Sequence, residues 1–197
     1  MGSLKSSSGQ RITYIAYLPD ALSLARVLLA PVVFFFLTLR IDLAVPYLSG
    51  HITWGDFLAG CFFFIALITD LLDGYIARRY NLATKRGKLI DSLADKVLVV
   101  VIMLALSELQ RVPAWIAAVV IVREFIMTGL RLVALTEGVT TAASRGGKLK
   151  AVFQFIAIGL LVLRIPGGMI LMWVAMLLTV WSGITATVMI CRQMNNK

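Results

Sequence analysis

Residues 70–95 read DLLDGYIARRYNLATKRGKLIDSLAD, a stretch in which charged side chains interrupt two long apolar segments. An ionised carboxylate in or beside a membrane-length apolar segment is costly unless another group compensates its charge. The stretch holds four such carboxylates, and their presence therefore needs a specific local reason. They belong to Asp70, Asp73, Asp91 and Asp95.

The spacing of these aspartates suggests that reason. Asp70 and Asp73 are three residues apart and Asp91 and Asp95 are four apart, so each pair lies on one face of a helix. The polar and glycine residues between the pairs favour a turn, which would bring the two helices together. Four converging carboxylates either raise a pKa or recruit a cation, and such hard oxygen ligands suit Mg²⁺ or Mn²⁺ rather than Zn²⁺. The pattern predicts a divalent metal site.

Three residues that follow the first aspartate pair suit a diphosphate bound to that metal. Gly74 has no side chain and so permits close approach to the helix backbone, and Ala77 keeps the same face open one turn later. Arg78 adds a fork of donors that matches phosphate oxygens. The stretch therefore indicates a metal-bound diphosphate ligand.

The same residues resemble the signature of the CDP-alcohol phosphotransferase family, integral-membrane enzymes that move a phosphatidyl-type group from a CDP-linked donor to an alcohol. Eight specified positions match over twenty-six residues, which makes the likeness specific. The resemblance implies two Mg²⁺ or Mn²⁺ ions held by the four aspartates, and a homodimer. We expect Asp95, the carboxylate closest in sequence to the next apolar segment, to be the general base. The CDP-binding residues would be Asp73, Gly74, Ala77, Arg78 and Gly87.

Composition indicates a membrane protein with one domain. Of the 197 residues, 60% are hydrophobic and 15% are charged, which is too apolar for an ordinary soluble domain. The net charge of +9 does not indicate nucleic-acid binding, because the basic residues are scattered between apolar segments; anionic lipids and substrates are the expected partners. Cys61 and Cys191 predict neither a disulfide nor a metal motif. We expect a tail with an interfacial segment over 1–19 and the membrane domain over 20–192.

The apolar segments predict an all-α, polytopic membrane fold with six transmembrane helices. Each segment is close to the length needed to cross a hydrocarbon core of about 30 Å. Arg26, near the start of the first span, is expected either to snorkel towards the lipid headgroups or to face a polar cavity. The predicted spans cover residues 20–40, 54–79, 88–108, 113–136, 147–164 and 168–191.

Basic residues in the connecting segments predict the orientation. With the N-terminus in the cytoplasm, the inner segments hold eleven basic residues and the outer loops hold three, Arg40, Arg111 and Arg164. Both termini and the aspartates then face the cytoplasm of a multi-pass cell-membrane protein. The inner basic residues are Lys5, Arg11, Arg79, Lys85, Arg86, Lys88, Arg145, Lys148, Lys150, Arg192 and Lys197.

Four basic residues on the predicted cytoplasmic side are candidates for binding the phosphate of an anionic acceptor. Arginine and lysine side chains supply the charged donors that such a phosphate needs. Structural alternatives stay open, since Arg123 could pair with Glu124 or with another helix, and Lys150 nearby could be an anchor at the inner leaflet. The candidates are Arg123, Arg131, Arg145 and Lys148.

These segments also narrow the resemblance within the family. LPDALSLAR at 18–26, REFIMTGLR at 123–131 and ASRGGKLK at 143–150 resemble the members whose acceptor is sn-glycerol 3-phosphate. Those members form phosphatidylglycerophosphate from CDP-diacylglycerol and release CMP. Asp20 departs from the pattern, because Asn is common there, and any role of that position in capping or headgroup contact is an open question.

Other functions stay open for the same residues. A sibling enzyme could use inositol phosphate or serine as its acceptor. Membrane prenyltransferases also use Mg²⁺ and a diphosphate, but the frame of Gly74, Ala77, Arg78 and Gly87 argues against them. A cation transporter could use intramembrane carboxylates as its pathway, and it would move ions in liposomes without a CDP-lipid.

Overall fold

The computed structural model describes residues 23–39, 52–79, 85–137 and 145–195, which are helical apart from short turns. No strand occurs within these ranges, so the prediction of an all-α fold is confirmed. In chain order the helices are α1 (Ser23–Thr38), α2 (Trp54–Arg79), α3 (Lys85–Glu108), α4 (Ala114–Thr136), α5 (Arg145–Val162) and α6 (Gly168–Asn195).

The helix bounds agree with the predicted spans to within a few residues. The largest differences are at α3, which begins at Lys85 rather than at 88, and at α6, which ends at Asn195 rather than at 191. In both places the helix continues into polar sequence, because backbone hydrogen bonding does not require an apolar side chain. The interfacial segment predicted over 1–19 lies outside the described residues.

The described helices pack as a bundle in which α5 is a central element. It packs against α2, α3 and α6, and α4 packs against α3 and α6. Helix α1 contacts α2, where the rings of Phe36 and Phe62 stack with their centroids 5.4 Å apart. The largest fully buried apolar side chains are Phe63, Leu98, Ile102, Met103, Leu106, Ile116, Ile158 and Met172.

A glycine permits the close approach of α2 to the end of α5. A Cβ atom placed on Gly60 would lie 2.6 Å from the Cδ2 atom of Leu163. That separation is well inside van der Waals contact, so any larger residue at this position forces the two helices or the leucine to move. The absence of a side chain at Gly60 therefore leaves room for the Leu163 side chain against α2.

One end of the bundle is joined by an ionic network, here called the Asp56 cluster, made of Thr53, Asp56, Arg111 and Arg164. Thr53 caps α2: its hydroxyl accepts from the Asp56 backbone N–H at 3.2 Å, and the Asp56 carboxylate accepts from the Thr53 backbone N–H at 3.2 Å. Arg111, between α3 and α4, donates to Asp56 Oδ1 at 2.5 Å, and Arg164 Nε lies 2.9 Å from Asp56 Oδ2.

Arg111 also caps the end of α5. It donates to the carbonyls of Leu161 and Val162 at 3.2 and 2.9 Å, where the negative end of the helix dipole favours a cation. Burial lowers the pKa of the Arg111 guanidinium, while the hydrogen bond to Asp56 acts in the opposite direction. Arg164 adopts a left-handed backbone conformation (φ 52°) just after α5, as helix ends often do. The cluster therefore ties α2 and α5 to the α3–α4 turn.

The exterior of the bundle is rich in large apolar side chains. Within the described ranges, one stretch, Gly168–Met194 of α6, is long and apolar enough to cross a bilayer by length and composition, and Ser23–Thr38 is a shorter apolar helix. Exposed residues on α4 and α6 include Val122, Phe125, Ile126, Ile170, Leu177, Trp181 and Ile184.

Candidate functional site

A buried arginine brings together two of the predicted metal-binding aspartates. Arg26 in α1 has no solvent exposure, and its Nη1 atom lies 2.8 Å from Asp70 Oδ1 and also contacts Asp95 Oδ1. Asp70 is in α2 and Asp95 is in α3, so one guanidinium connects three helices. The two carboxylate side chains remain 32% and 35% exposed, so neither is enclosed in the core. Of the two expectations for Arg26, snorkelling is wrong, and the side chain faces the polar interior.

The other predicted metal- and CDP-binding residues lie on the facing ends of α2 and α3. Their helical backbone supports the predicted spacing of each aspartate pair, with Gly87 in the first turn of α3 rather than in the loop. Their side chains lie outside the described part, and among the side chains that are described no group of three potential metal ligands occurs. These residues are Asp73, Gly74, Ala77, Arg78, Gly87 and Asp91.

Beside Asp95 is a cavity of about 300 Å³ between α3, α4, α5 and α6. Its lining contains five cationic and two anionic side chains, so the cavity suits an anionic ligand. Three of the predicted acceptor-binding residues, Arg123, Arg131 and Lys148, line it together with Asp95. The fourth, Arg145, is the first residue of α5, and its side chain lies outside the described part. The charged lining residues are Asp95, Lys96, Arg123, Glu124, Arg131, Lys148 and Lys150.

Arg123 is held against α6 by hydrogen bonds from its guanidinium. Its Nε donates to the Thr179 carbonyl at 3.1 Å, and its Nη2 donates to the Ser182 hydroxyl at 2.9 Å. Gly183 leaves room for this arrangement, since a Cβ atom there would lie 3.2 Å from Arg123 Nε. Arg123 Nη1 also lies 3.4 Å from Glu124 Oε1, which is a weaker contact. Arg123 therefore binds another helix, as one of the structural alternatives proposed, and it still lines the cavity.

Arg131 and Lys148 differ from Arg123 in this respect. Among the residues that the structure describes, no carboxylate lies within ion-pair distance of either side chain. Lys148 is exposed near the start of α5, and Arg131 lies two turns after Arg123 on α4. Both cations are therefore available to an anion that enters the cavity.

Lys150 lines the cavity from α5. Its side chain is buried and forms an ion pair with Glu124 of α4. A lysine that reaches the inner-leaflet headgroups would be exposed, so the interpretation of Lys150 as an anchor is wrong. The pair neutralises two charges inside the bundle and ties α5 to α4.

Three residues of this site were not identified from the sequence in the roles that the structure gives them. Arg26 neutralises the aspartates, Lys150 pairs with Glu124, and Gln154 lines the cavity. One signal was available for Gln154. It follows Lys150 by four residues, which places these two polar side chains on one face of a largely apolar helix.

Comparison with known proteins gives the family. The sequence profile described as CDP-alcohol phosphatidyltransferase matches residues 16–181, most of the chain. The chain belongs to this family. Its relatives among the CDP-alcohol phosphatidyltransferases include a Bacillus subtilis protein named CDP-diacylglycerol--glycerol-3-phosphate 3-phosphatidyltransferase, 39% identical over 84% of this chain and 91% of its own length.

Two further relatives carry related names. A Mycobacterium tuberculosis protein named probable phosphatidylglycerophosphate synthase is 39% identical over 86% of this chain and 79% of its own length. An Escherichia coli protein with the same name as the Bacillus subtilis relative is 38% identical over 84% of this chain and 90% of its own length. The resemblance predicted from residues 70–95 is confirmed at the level of the family.

Proposed function

We propose that the protein transfers the phosphatidyl group of CDP-diacylglycerol to sn-glycerol 3-phosphate, which gives phosphatidylglycerophosphate and CMP in phospholipid biosynthesis. The observation that carries the proposal is the cavity in which Asp95 lies with Arg131 and Lys148. A carboxylate there can accept a proton from a hydroxyl while the cations bind a phosphate of the same molecule. The names of the relatives support this donor and acceptor.

Two divalent ions, Mg²⁺ or Mn²⁺, belong to this proposal, and the residues present fit them. Asp70 and Asp95 contact the same guanidinium from different helices, their side chains are partly exposed, and carboxylate oxygens are the ligand type that these ions prefer. Asp73 and Asp91 lie one turn from them on α2 and α3 and would complete the set. Ions bound there would neutralise charge on the diphosphate and polarise the phosphorus under attack.

The chain's own residues would then position and deprotonate the acceptor. Asp95 accepts the proton of the primary hydroxyl of glycerol 3-phosphate. The hydroxyl oxygen forms a bond to the phosphorus that carries diacylglycerol, and the bond from that phosphorus to CMP breaks. The proposed acceptor-phosphate ligands are Arg123, Arg131, Arg145 and Lys148. The proposed CDP ligands are Asp73, Gly74, Ala77, Arg78 and Gly87.

The proposal includes six membrane-spanning helices with the aspartates on the cytoplasmic side. The distribution of side chains supports it, because buried positions hold Arg26, Lys150 and Gln154 while large apolar residues cover the exterior. Trp115 and Trp173, at the ends of α4 and α6 near the Asp56 cluster, pack with their centroids 5.1 Å apart, as expected of aromatic residues at a membrane interface. A homodimer is proposed on the family resemblance.

The test is an acceptor panel on purified protein. CDP-diacylglycerol in mixed micelles with Mg²⁺ or Mn²⁺ is incubated with glycerol 3-phosphate, inositol phosphate or serine, and CMP release and lipid product are measured. We expect CMP release and phosphatidylglycerophosphate formation when glycerol 3-phosphate is the acceptor, and no turnover with inositol phosphate or serine. Turnover with another acceptor would assign a sibling reaction, and ion flux in liposomes without CDP-lipid would favour a transporter.

A further inference from the structure

Gln154 places an unpartnered polar atom in the cavity beside Asp95. Its side chain is 3% exposed, and its Oε1 atom accepts no hydrogen bond from any residue in the described part of the chain. The residue lines the cavity from α5, one turn beyond Lys150 and about 6 Å further along the helix axis. A buried acceptor of this kind costs free energy unless a donor reaches it.

The neighbouring cations do not supply that donor. Lys150 is paired with Glu124, and Arg123 donates to α6. Lys148 is exposed near the start of α5, six residues before Gln154. The cavity thus has cationic groups near its mouth and an amide oxygen at a more buried position, so it can recognise two different parts of one ligand.

The chemistry of the proposed acceptor leaves one group for this oxygen. An ionised phosphate has no proton to donate, so it suits Arg131 and Lys148 but not Gln154 Oε1. The primary hydroxyl of glycerol 3-phosphate gives its proton to Asp95 in the proposed reaction. The secondary hydroxyl, on the middle carbon, is the donor that remains.

We propose that Gln154 is a specificity-determining residue that accepts a hydrogen bond from the secondary hydroxyl of the phosphorylated polyol acceptor. This inference rests on the proposed function and adds to it a reason for selecting a polyol over a simple alcohol phosphate. A site with a buried group that must be satisfied by a substrate hydroxyl rejects an analogue that lacks that hydroxyl.

The experiment compares glycerol 3-phosphate with 3-hydroxypropyl phosphate, which keeps the phosphate and primary hydroxyl but lacks the secondary one. CMP release from CDP-diacylglycerol gives kcat/KM for each acceptor in the wild type, in Gln154→Met and in Val99→Ala. Methionine has a similar length and no hydrogen-bonding oxygen, and Val99 is an apolar part of the same lining. The KM for CDP-diacylglycerol shows whether each variant is folded.

We expect the wild type and Val99→Ala to prefer glycerol 3-phosphate by about ten- to a hundredfold, and Gln154→Met to prefer it by less than about threefold. An unchanged preference in an active Gln154→Met would overturn the inference while leaving the proposed function intact. If the wild type uses both compounds equally, the inference is overturned by that result alone. Water would then be the donor to Gln154 Oε1. A wild type inactive with glycerol 3-phosphate would overturn the proposed function and this inference together.

Discussion

Arg26 Nη1 lies 2.8 Å from Asp70 Oδ1, and this contact joins the apolar helix α1 to the helix that carries the first aspartate pair. The same nitrogen contacts Asp95, so Arg26 compensates charge at the place where the proposed ions would bind. Because the arginine is fully buried and the carboxylates are partly exposed, the guanidinium lies on the buried side of the two aspartates.

Arg26→Gln should destabilise the metal-free protein by about 1 to 3 kcal/mol, since two carboxylates lose a shared cation. The loss is smaller than for a fully buried ion pair, because water partly screens the two exposed carboxylates. Mn²⁺ should restore more stability to the variant than it adds to the wild type, because it replaces the missing charge. Thermal unfolding in detergent, with EDTA and with Mn²⁺, measures both effects. An equal response to Mn²⁺ in the two proteins would contradict the placement of the ions beside Arg26.

Asp95→Asn should lower kcat by about 10²- to 10⁴-fold, because the amide cannot accept the proton of the acceptor hydroxyl. The amide oxygen can still accept from Arg26, so the variant should fold. Glu108→Gln is the control, since Glu108 is an exposed carboxylate near the end of the same helix, away from the cavity. Near-wild-type turnover in Asp95→Asn would remove Asp95 from the role of base.

Arg131→Gln and Lys148→Gln should each raise the KM for glycerol 3-phosphate by about ten- to a hundredfold through loss of a charge-assisted contact. The KM for CDP-diacylglycerol should change little. Arg192→Gln is the control, because Arg192 is an exposed cation in the last turn of α6 outside the cavity. If the KM for CDP-diacylglycerol rises instead of the KM for glycerol 3-phosphate, these residues belong to the site that binds CDP-diacylglycerol.

Asp56→Asn should lower the stability of the protein by about 3 to 5 kcal/mol, because Arg111 then loses its buried counter-charge. Arg164→Gln should cost less than about 1 kcal/mol, since the Arg164 side chain is 42% exposed and water can replace its partner. Chemical or thermal unfolding in detergent ranks the two variants. Because Asp56→Asn removes both ion pairs, equal losses would mean that the contact with the buried Arg111 adds no stability.

Gly60→Ala should destabilise the bundle by about 1 to 3 kcal/mol, because the new Cβ would lie 2.6 Å from Leu163 Cδ2. Gly129→Ala is the matched control, since a Cβ atom there meets nothing within 4 Å. The control should keep or slightly raise stability, as alanine favours a helix over glycine. Recovery of Gly60→Ala by Leu163→Ala would identify the contact responsible.

The sequence allowed the helices to be predicted closely because apolar segments of similar length alternate with short polar ones. The metal and acceptor candidates were also found, since aspartates and arginines inside apolar segments are conspicuous. Their exact partners depend on which helices become neighbours. Arg26 could be assigned to Asp70 and Asp95 only after α1 was seen against α2 and α3.

Arg123 and Lys150 also show that the sequence does not give the partner of a basic residue. Both are basic residues near the predicted acceptor site, and charge alone does not distinguish a ligand-binding arginine from one that binds a neighbouring helix. Arg123 is taken up by the Thr179 carbonyl and the Ser182 hydroxyl because Gly183 lets it lie against α6. Lys150 faces inward because Glu124 lies opposite it on α4.

The Asp56 cluster also bears on the order in which the chain is assembled during synthesis. Asp56 is synthesised early, in α2. Arg111 follows after α3, and Arg164 is added only with the turn between α5 and α6. A nascent chain that has not yet reached Arg111 carries a carboxylate without either of these counter-charges. A chain that ends before residue 111 therefore cannot form these ion pairs, and the attachment of α2 and α5 to the α3–α4 turn is completed only once Arg164 has been made.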